Sequence, residues 1–225
     1  MTAAPLEAVV FDVDGTLLRS IEQHAEAYRR TLEPRGVAID PREVFLLEGA
    51  RSESILREFL LRAGLKVEGE ELREIARVKQ AAYEALGMPG PYPGAFETVR
   101  EVHRRGFRCA LVTGTRRRNI DLLMGEVAHL FEVVRTQEDY TRDKPDPEPY
   151  LSAARGLGLP PERCLVLENA PRGVESARRA GMQVVAITNT LPAETIEEHA
   201  HAVVRTYDEF LALLPPRAGG VSRRS

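Results

Sequence analysis

The chain of 225 residues lacks any apolar run near the roughly 20 residues that a membrane-spanning helix requires. It also lacks the basic-then-apolar opening of a secretory signal peptide. Cysteine is scarce: only Cys109 and Cys164 occur, each inside an apolar, strand-like run. Thiols so placed read as buried and reduced rather than as a disulfide framework. An excess of one charge is missing too; with a formal net charge of -3, bulk electrostatic binding to nucleic acid or anionic lipid is not expected. There is no internal repeat at solenoid periods and no low-complexity tract. The expectation is a cytoplasmic protein, a monomer by default, that binds neither nucleic acid nor membrane.

What is present is an ordinary globular composition, 43% hydrophobic and 29% charged, long enough for one large domain or a domain with a smaller one inserted. The most informative stretch runs from Ala8 to Leu18. Ala8-Val9-Val10-Phe11 reads as a fully buried strand, and it stops at Asp12-Val13-Asp14-Gly15-Thr16. Two residues apart on an extended chain, Asp12 and Asp14 point the same way, while Gly15 lets the backbone turn sharply away. Like charges so close favour protonation of one of them unless a cation intervenes. Oxygen ligands of this kind suit magnesium better than zinc.

Beyond this point helices are expected at Ile21 to Leu32, Pro41 to Leu47, Ser52 to Arg62 and Gly69 to Leu86, the last with Leu72, Ile75, Ala76 and Lys79 at helical spacing. Gly87 to Gly94 packs prolines and glycines into a linker. Helices then alternate with strands at Cys109 to Val112, Val133 to Arg135, Cys164 to Leu167, Val184 to Ile187 and Ala202 to Val204, with one helix spanning Asn119 to Ala128. That alternation implies an α/β fold, a doubly wound (Rossmann-like) parallel sheet. The core is assigned to 1–19 and 93–225, an inserted all-helical cap to 20–92, and a disordered tail to 215–225. Hinges are expected at Leu18 to Ile21 and at the linker, with the site in the cleft between the two parts.

Open sheets of this kind bind ligands outside the carboxyl ends of their strands. There stand Thr113-Gly114-Thr115-Arg116, whose hydroxyls and backbone amides can donate to phosphate oxygens, then Lys144-Pro145, then Glu168-Asn169, an acid and an amide able to complete an oxygen-rich metal shell.

Taken in order, Asp-x-Asp-Gly-Thr, strand-Thr-Gly, Lys-Pro-x-Pro and Glu-Asn-Ala-x-x-Gly resemble the four motifs of the haloacid dehalogenase-like hydrolases, and the helical insertion resembles their small helical cap. The resemblance implies a magnesium-dependent phosphatase acting on a small phosphorylated metabolite, a sugar phosphate or phosphoglycolate. Asp12 would be the nucleophile that becomes a phosphoaspartate, and Asp14 the general acid and base. Thr113 and Lys144 would bind the transferring phosphoryl group, and Asp12, Asp14, Glu168 and Asn169 would hold magnesium. The resemblance also places Thr16, His24, Arg51, Gly114, Thr115 and Arg116 on the substrate side. His24 sits where the β-phosphoglucomutase-like branch carries a cap-hinge histidine, and Gly49-Ala50-Arg51-Ser52 resembles that branch's substrate-facing loop.

Two positions depart from the pattern. Asn169 stands where many relatives carry aspartate, which removes a negative charge and implies weaker magnesium affinity. Glu48 stands where mutase relatives carry lysine. The alternatives are a β-phosphoglucomutase-like isomerase and a catalytically silent phosphometabolite-binding protein; a dehalogenase fits Asp14 and a magnesium site less well.

Overall fold

The structure, a computed structural model, describes residues 5–216. The expectation of a disordered tail at 215–225 therefore lies, beyond Pro216, outside the described residues. Strands β1 (Ala8–Phe11), β2 (Arg108–Val112), β3 (Phe131–Arg135), β4 (Cys164–Glu168), β5 (Gln183–Ile187) and β6 (Ala202–Val204) form one sheet ordered β3-β2-β1-β4-β5-β6. All pairs are parallel, with Phe11 opposite Leu111 on one side and Leu167 on the other. The strands run outward from β1 to β3, and the chain then crosses back to place β4 beside β1. That reversal opens a crevice at the carboxyl ends of β1 and β4.

Helices cover both faces, which explains why β1 and β4 read as unbroken apolar runs. Val9, Phe11, Leu111 and Leu167 pack on one face with helices α5 (Ala95–Arg104), α6 (Arg117–Leu123) and α10 (Tyr207–Leu213). Val10, Ala110, Val112 and Val166 pack on the other with α7 (Glu148–Leu157) and α8 (Pro171–Arg179). Phe11 meets Phe131 edge-on at 6.1 Å and Phe210 at 6.4 Å. Both cysteines are buried and unpaired.

Between β1 and α5 lie four helices, α1 (Ile21–Leu32), α2 (Pro41–Leu47), α3 (Ser52–Arg62) and α4 (Gly69–Glu84), with a hydrophobic core of their own built from Tyr28, Leu32, Leu56, Phe59 and Ile75 among others. Asp40 and Glu43 cap α2 reciprocally, and Pro41 opens it. The two crossings into this cap are paired: Arg19 N donates to the Gly90 carbonyl (2.9 Å) and Tyr92 N to the Leu17 carbonyl (3.0 Å).

The helix expected over Asn119 to Ala128 is instead a short α6 ending at Leu123, followed by a 3-10 turn at Ala128–Leu130. Gly125 interrupts the pattern, and a glycine inside a helix costs about 1 kcal/mol relative to alanine. The single turn α9 (Ala193–Ile196) was not foreseen in a segment with no sustained periodicity. Among the described residues no helix is long and apolar enough to cross a membrane.

Candidate active site

The end of β1 is fixed by the sheet ladder, which Asp12 N extends by donating to the Leu167 carbonyl (3.1 Å). The chain then folds back tightly, with Leu17 N and Leu18 N both bonded to the Val13 carbonyl. Gly15 makes the turn at φ +79°, a left-handed conformation that costs glycine nothing. This presents both acids at the crevice.

Asp12 is almost fully buried. Its Oδ1 accepts from Lys144 Nζ at 2.7 Å, and its Oδ2 has no partner among the described residues. Lys144 is buried as well; it also binds Glu168 Oε1 at 2.7 Å and lies 5.0 Å from the centre of the Tyr150 ring. Glu168 has both oxygens engaged. Oε1 further accepts from Tyr150 Oη (2.9 Å), while Oε2 accepts from the backbone N–H of Asn169 (2.8 Å) and Ala170 (3.1 Å). Glu168 therefore acts on the site through Lys144 and presents no free oxygen in this arrangement. Asn169 Oδ1 accepts from the buried Thr16 hydroxyl at 2.7 Å, so Thr16 is a strut beneath Asn169 rather than a group facing the crevice.

Asp14 sits in a cradle of hydroxyls: Ser20 donates to Oδ1 (2.7 Å), and Thr113 (3.1 Å) and Thr115 (2.8 Å) donate to Oδ2. From the cap, His24 Nε2 stands 3.5 Å from Asp14 Oδ1. Lys79 Nζ lies 2.7 Å from His24 Nδ1, which leaves the ring proton on Nε2, facing Asp14. The His24 ring stacks on Tyr83 at 4.2 Å, and Lys79 Nζ sits 4.5 Å above the Tyr28 ring.

These surroundings separate the two acids. Burial, then the adjacent Glu168, push the Asp12 carboxyl up to about 8 against the pull of Lys144. Burial would raise Asp14 as well, but bonds from His24, Ser20 and Thr115 outweigh it and hold that carboxyl well below the usual range. Burial lowers Lys79 to about 7 and also lowers His24. Lys144 is held fully protonated by Asp12 and Glu168 in spite of burial.

A cavity lies over the paired acids, lined from the core by Asp12, Asp14, Gly114 and Thr115 and from the cap by residues that include His24, Tyr28, Glu48 and Ser52. Its open volume of about 50 Å³ holds three or four waters. A second lobe continues past Thr115 to Arg116 and Asn119. The Arg116 side chain, half-buried, makes no hydrogen bond or ion pair among the described residues, while its carbonyl accepts from Asn119 N and Ile120 N. Arg51 does not line either lobe. Its guanidinium pairs with Asp143 (3.0 Å) and donates to the carbonyls of Gln137 and Tyr140, which fastens the cap loop to the loop carrying Lys144.

Sequence reasoning passed over Lys79 and Ser20. Lys79 was counted in the apolar stripe of α4, and a lysine in such a stripe is the signal that could have found it, since a buried ammonium needs partners.

No three His, Cys, Asp or Glu side chains among the described residues converge into a complete metal cage. Magnesium does not need one; it takes one or two carboxylates and keeps waters and substrate oxygens. The unpartnered Asp12 Oδ2 and Glu48 Oε1, both buried, supply the orphaned oxygens that a hard cation satisfies. Asp12 and the Asp14–Asn169 side of the crevice fit such an ion.

The family model for haloacid dehalogenase-like hydrolases matches residues 6–181. Protein CbbY of Rhodobacter capsulatus is 32% identical over 193 residues, covering 80% of this chain and 84% of that protein. Hexitol phosphatase A of Escherichia coli is 34% identical over 194 residues, 83% of this chain and 84% of that protein. The structure of CbbY from Rhodobacter sphaeroides with xylulose-1,5-bisphosphate superposes with a TM-score of 0.75 at 28% identity, over 93% of this chain and 99% of that one.

Proposed function

Because the chain belongs to the haloacid dehalogenase-like hydrolases, we propose that it is a magnesium-dependent phosphatase of a phosphorylated sugar or polyol, working through a phosphoaspartate on Asp12. The observation that carries this reading is the Asp12 carboxylate, one oxygen held by Lys144 and the other buried, unpartnered and facing the cavity. One relative named hexitol phosphatase, and another crystallised with a sugar bisphosphate, support the substrate class.

In the first half-reaction Asp12 Oδ2 attacks phosphorus, the bond to the sugar oxygen breaks, and a proton from Asp14 passes to that oxygen. In the second, Asp14 takes a proton from water, which attacks the phosphoaspartate and releases phosphate and free Asp12. The hydroxyl cradle holds Asp14 in the ionised form that the second half requires; before the first, it must leave that cradle and gain a proton. Lys144 and the Thr113–Thr115 turn offset the charge of the transferring group. The cation, held by Asp12 and the Asp14 backbone on the Asn169 side of the crevice, would shield the nucleophile from the phosphate dianion. The high pKa of Asp12 belongs to the cation-free protein, because burial and Glu168, its two main causes, are both opposed by an adjacent divalent charge.

The cavity is too small for a sugar phosphate with the cap in this position, so the cap opens to admit substrate. The unpaired Arg116 at the far lobe favours a second reading, a β-phosphoglucomutase-like isomerase whose substrate carries a second phosphate. Both are tested by following phosphate release and isomerised product from a panel of sugar and polyol phosphates, with and without magnesium. Magnesium-dependent release, abolished by about 10⁴-fold or more in Asp12→Asn, is expected. Isomerisation with little release would replace the phosphatase by the mutase, and inactivity across the panel would leave a binding protein.

A further inference from the structure

The cap places one more acid at the site. Glu48, at the end of α2, is 7% exposed and has no ion-pair partner among the described residues. Its Oε2 accepts from Asn169 Nδ2 at 2.8 Å, and its Oε1 has no partner. This approach is built into two glycines. A side chain at Gly15 would place its Cβ 2.2 Å from Asn169 Nδ2 and 3.0 Å from Glu48 Oε1. At Gly49, φ +90°, a Cβ would stand 2.8 Å from Lys144 Cδ, so the cap loop rides directly on the catalytic lysine.

Asp12, Glu48 and Glu168 are all more than nine-tenths buried, and Lys144 is the buried ammonium that pairs with two of them. When all three are ionised they leave two negative charges against the one ammonium, the charge that one divalent cation matches, while Asp14 is held apart by its own cradle of hydroxyls. Glu48 Oε1 and Asp12 Oδ2 are both buried without a hydrogen-bond partner, two orphaned oxygens that one cation would satisfy together. Asn169 has its Nδ2 turned to Glu48 and Thr190 and its Oδ1 to Thr16. An aspartate at 169 would meet Glu48 carboxylate to carboxylate.

We infer that Glu48 is the acid facing the divalent cation across from Asp12, in place of the carboxylate that Asn169 lacks, so that binding the cation holds the cap on the core. The inference rests on the metal-dependent reading above. By linkage, whatever the cation gains from Glu48 the closed cap gains equally.

Calorimetric titration with Mn²⁺, and hydrogen exchange of residues 47–54 with and without Mg²⁺, test it on the full chain. In the native protein Mg²⁺ slows exchange in that loop. Glu48→Gln weakens Mn²⁺ binding tenfold or more and abolishes the protection, and adding Asn169→Asp restores affinity without restoring protection. Equal Mn²⁺ affinity in Glu48→Gln and the native protein would overturn the inference while leaving the metal-dependent site standing. So would exchange at 47–54 that Mg²⁺ does not alter, a measurement needing no variant. A native protein that binds no cation would remove both readings.

Discussion

Replacing Lys144 by methionine tests the electrostatic core of the site. The ammonium is fully buried, 2.7 Å from both Asp12 and Glu168, so its loss leaves two carboxylates in a low-dielectric pocket with only Tyr150 and backbone amides for company. Removing one partner of a buried ion pair costs about 3–5 kcal/mol, most of it the penalty on the charge left behind. Methionine preserves much of the volume, so packing adds little. With a urea slope of about 3 kcal/mol per molar, the unfolding midpoint of the cation-free protein should fall by more than about 1 M. The pH dependence fixes the cause. In the native protein Lys144 opposes the rise of Asp12 to about 8; without that ammonium Asp12 rises further, so above pH 8 the variant's folded state holds a proton that the native one has released and its stability goes on falling as pH rises. The gap to the native protein should therefore widen as pH rises above 8 and narrow as pH falls back toward 8. Urea melts at three pH values, without divalent cations, measure it. A loss below about 1 kcal/mol, or a gap indifferent to pH, would refute the argument that Lys144 carries these two charges.

Other positions give independent checks. Gly173→Ala places a Cβ 1.6 Å from Glu168 Oε1, so Glu168 or α8 must move; a loss of about 1–3 kcal/mol and at least tenfold in activity is expected from melts and kinetics on one sample. Lys79 titrates near 7 when folded but near 10.5 when unfolded, so the unfolded chain binds more protons between these values and native stability rises with pH across that window. Lys79→Met should lack that rise, which urea midpoints at pH 7 and 9.5 would show. Phe11→Ala empties the centre of the sheet face shared with Phe131 and Phe210 and should cost about 3–5 kcal/mol, read as a fall in the urea midpoint.

The parts of this fold that were readable in the sequence are those where one physical signal acts locally. The β1 strand declares itself because a strand buried on both faces must be apolar throughout, and the acids declare themselves because they interrupt it at the one place where solvent and ligand enter. Helices α1 to α3 keep their expected limits because caps and apolar spacing agree; α6 does not, because Gly125 divides an apolar pattern that continues through it. What the sequence did not reveal is how these charged groups are paired. Arg51, expected as an anion ligand, is here paired with Asp143 and two carbonyls, and Glu168, expected as a metal ligand, is here engaged by Lys144, Tyr150 and two amides. Both partners lie about ninety or fewer residues away on other elements, where no periodicity reports them.

The same limit explains the two cap residues that matter most to the chemistry. Lys79 is a charged group placed where helical spacing demands burial, and Glu48 is a buried acid just past the end of α2 that the cap alone leaves without a partner. Lys79 finds its partners within the cap, at His24 and Ser52 and between the Tyr28 and Tyr83 rings, whereas Glu48 finds its partner only where the cap sits on the core, at Asn169 beside Asp12. On the reading proposed above, an open cap exposes Glu48 to water and the closed cap gives it Asn169 and the cation, so the cost of burying it is met only when the site below is filled. Closure is then coupled to occupancy of the site through Glu48, in addition to any contact made by substrate.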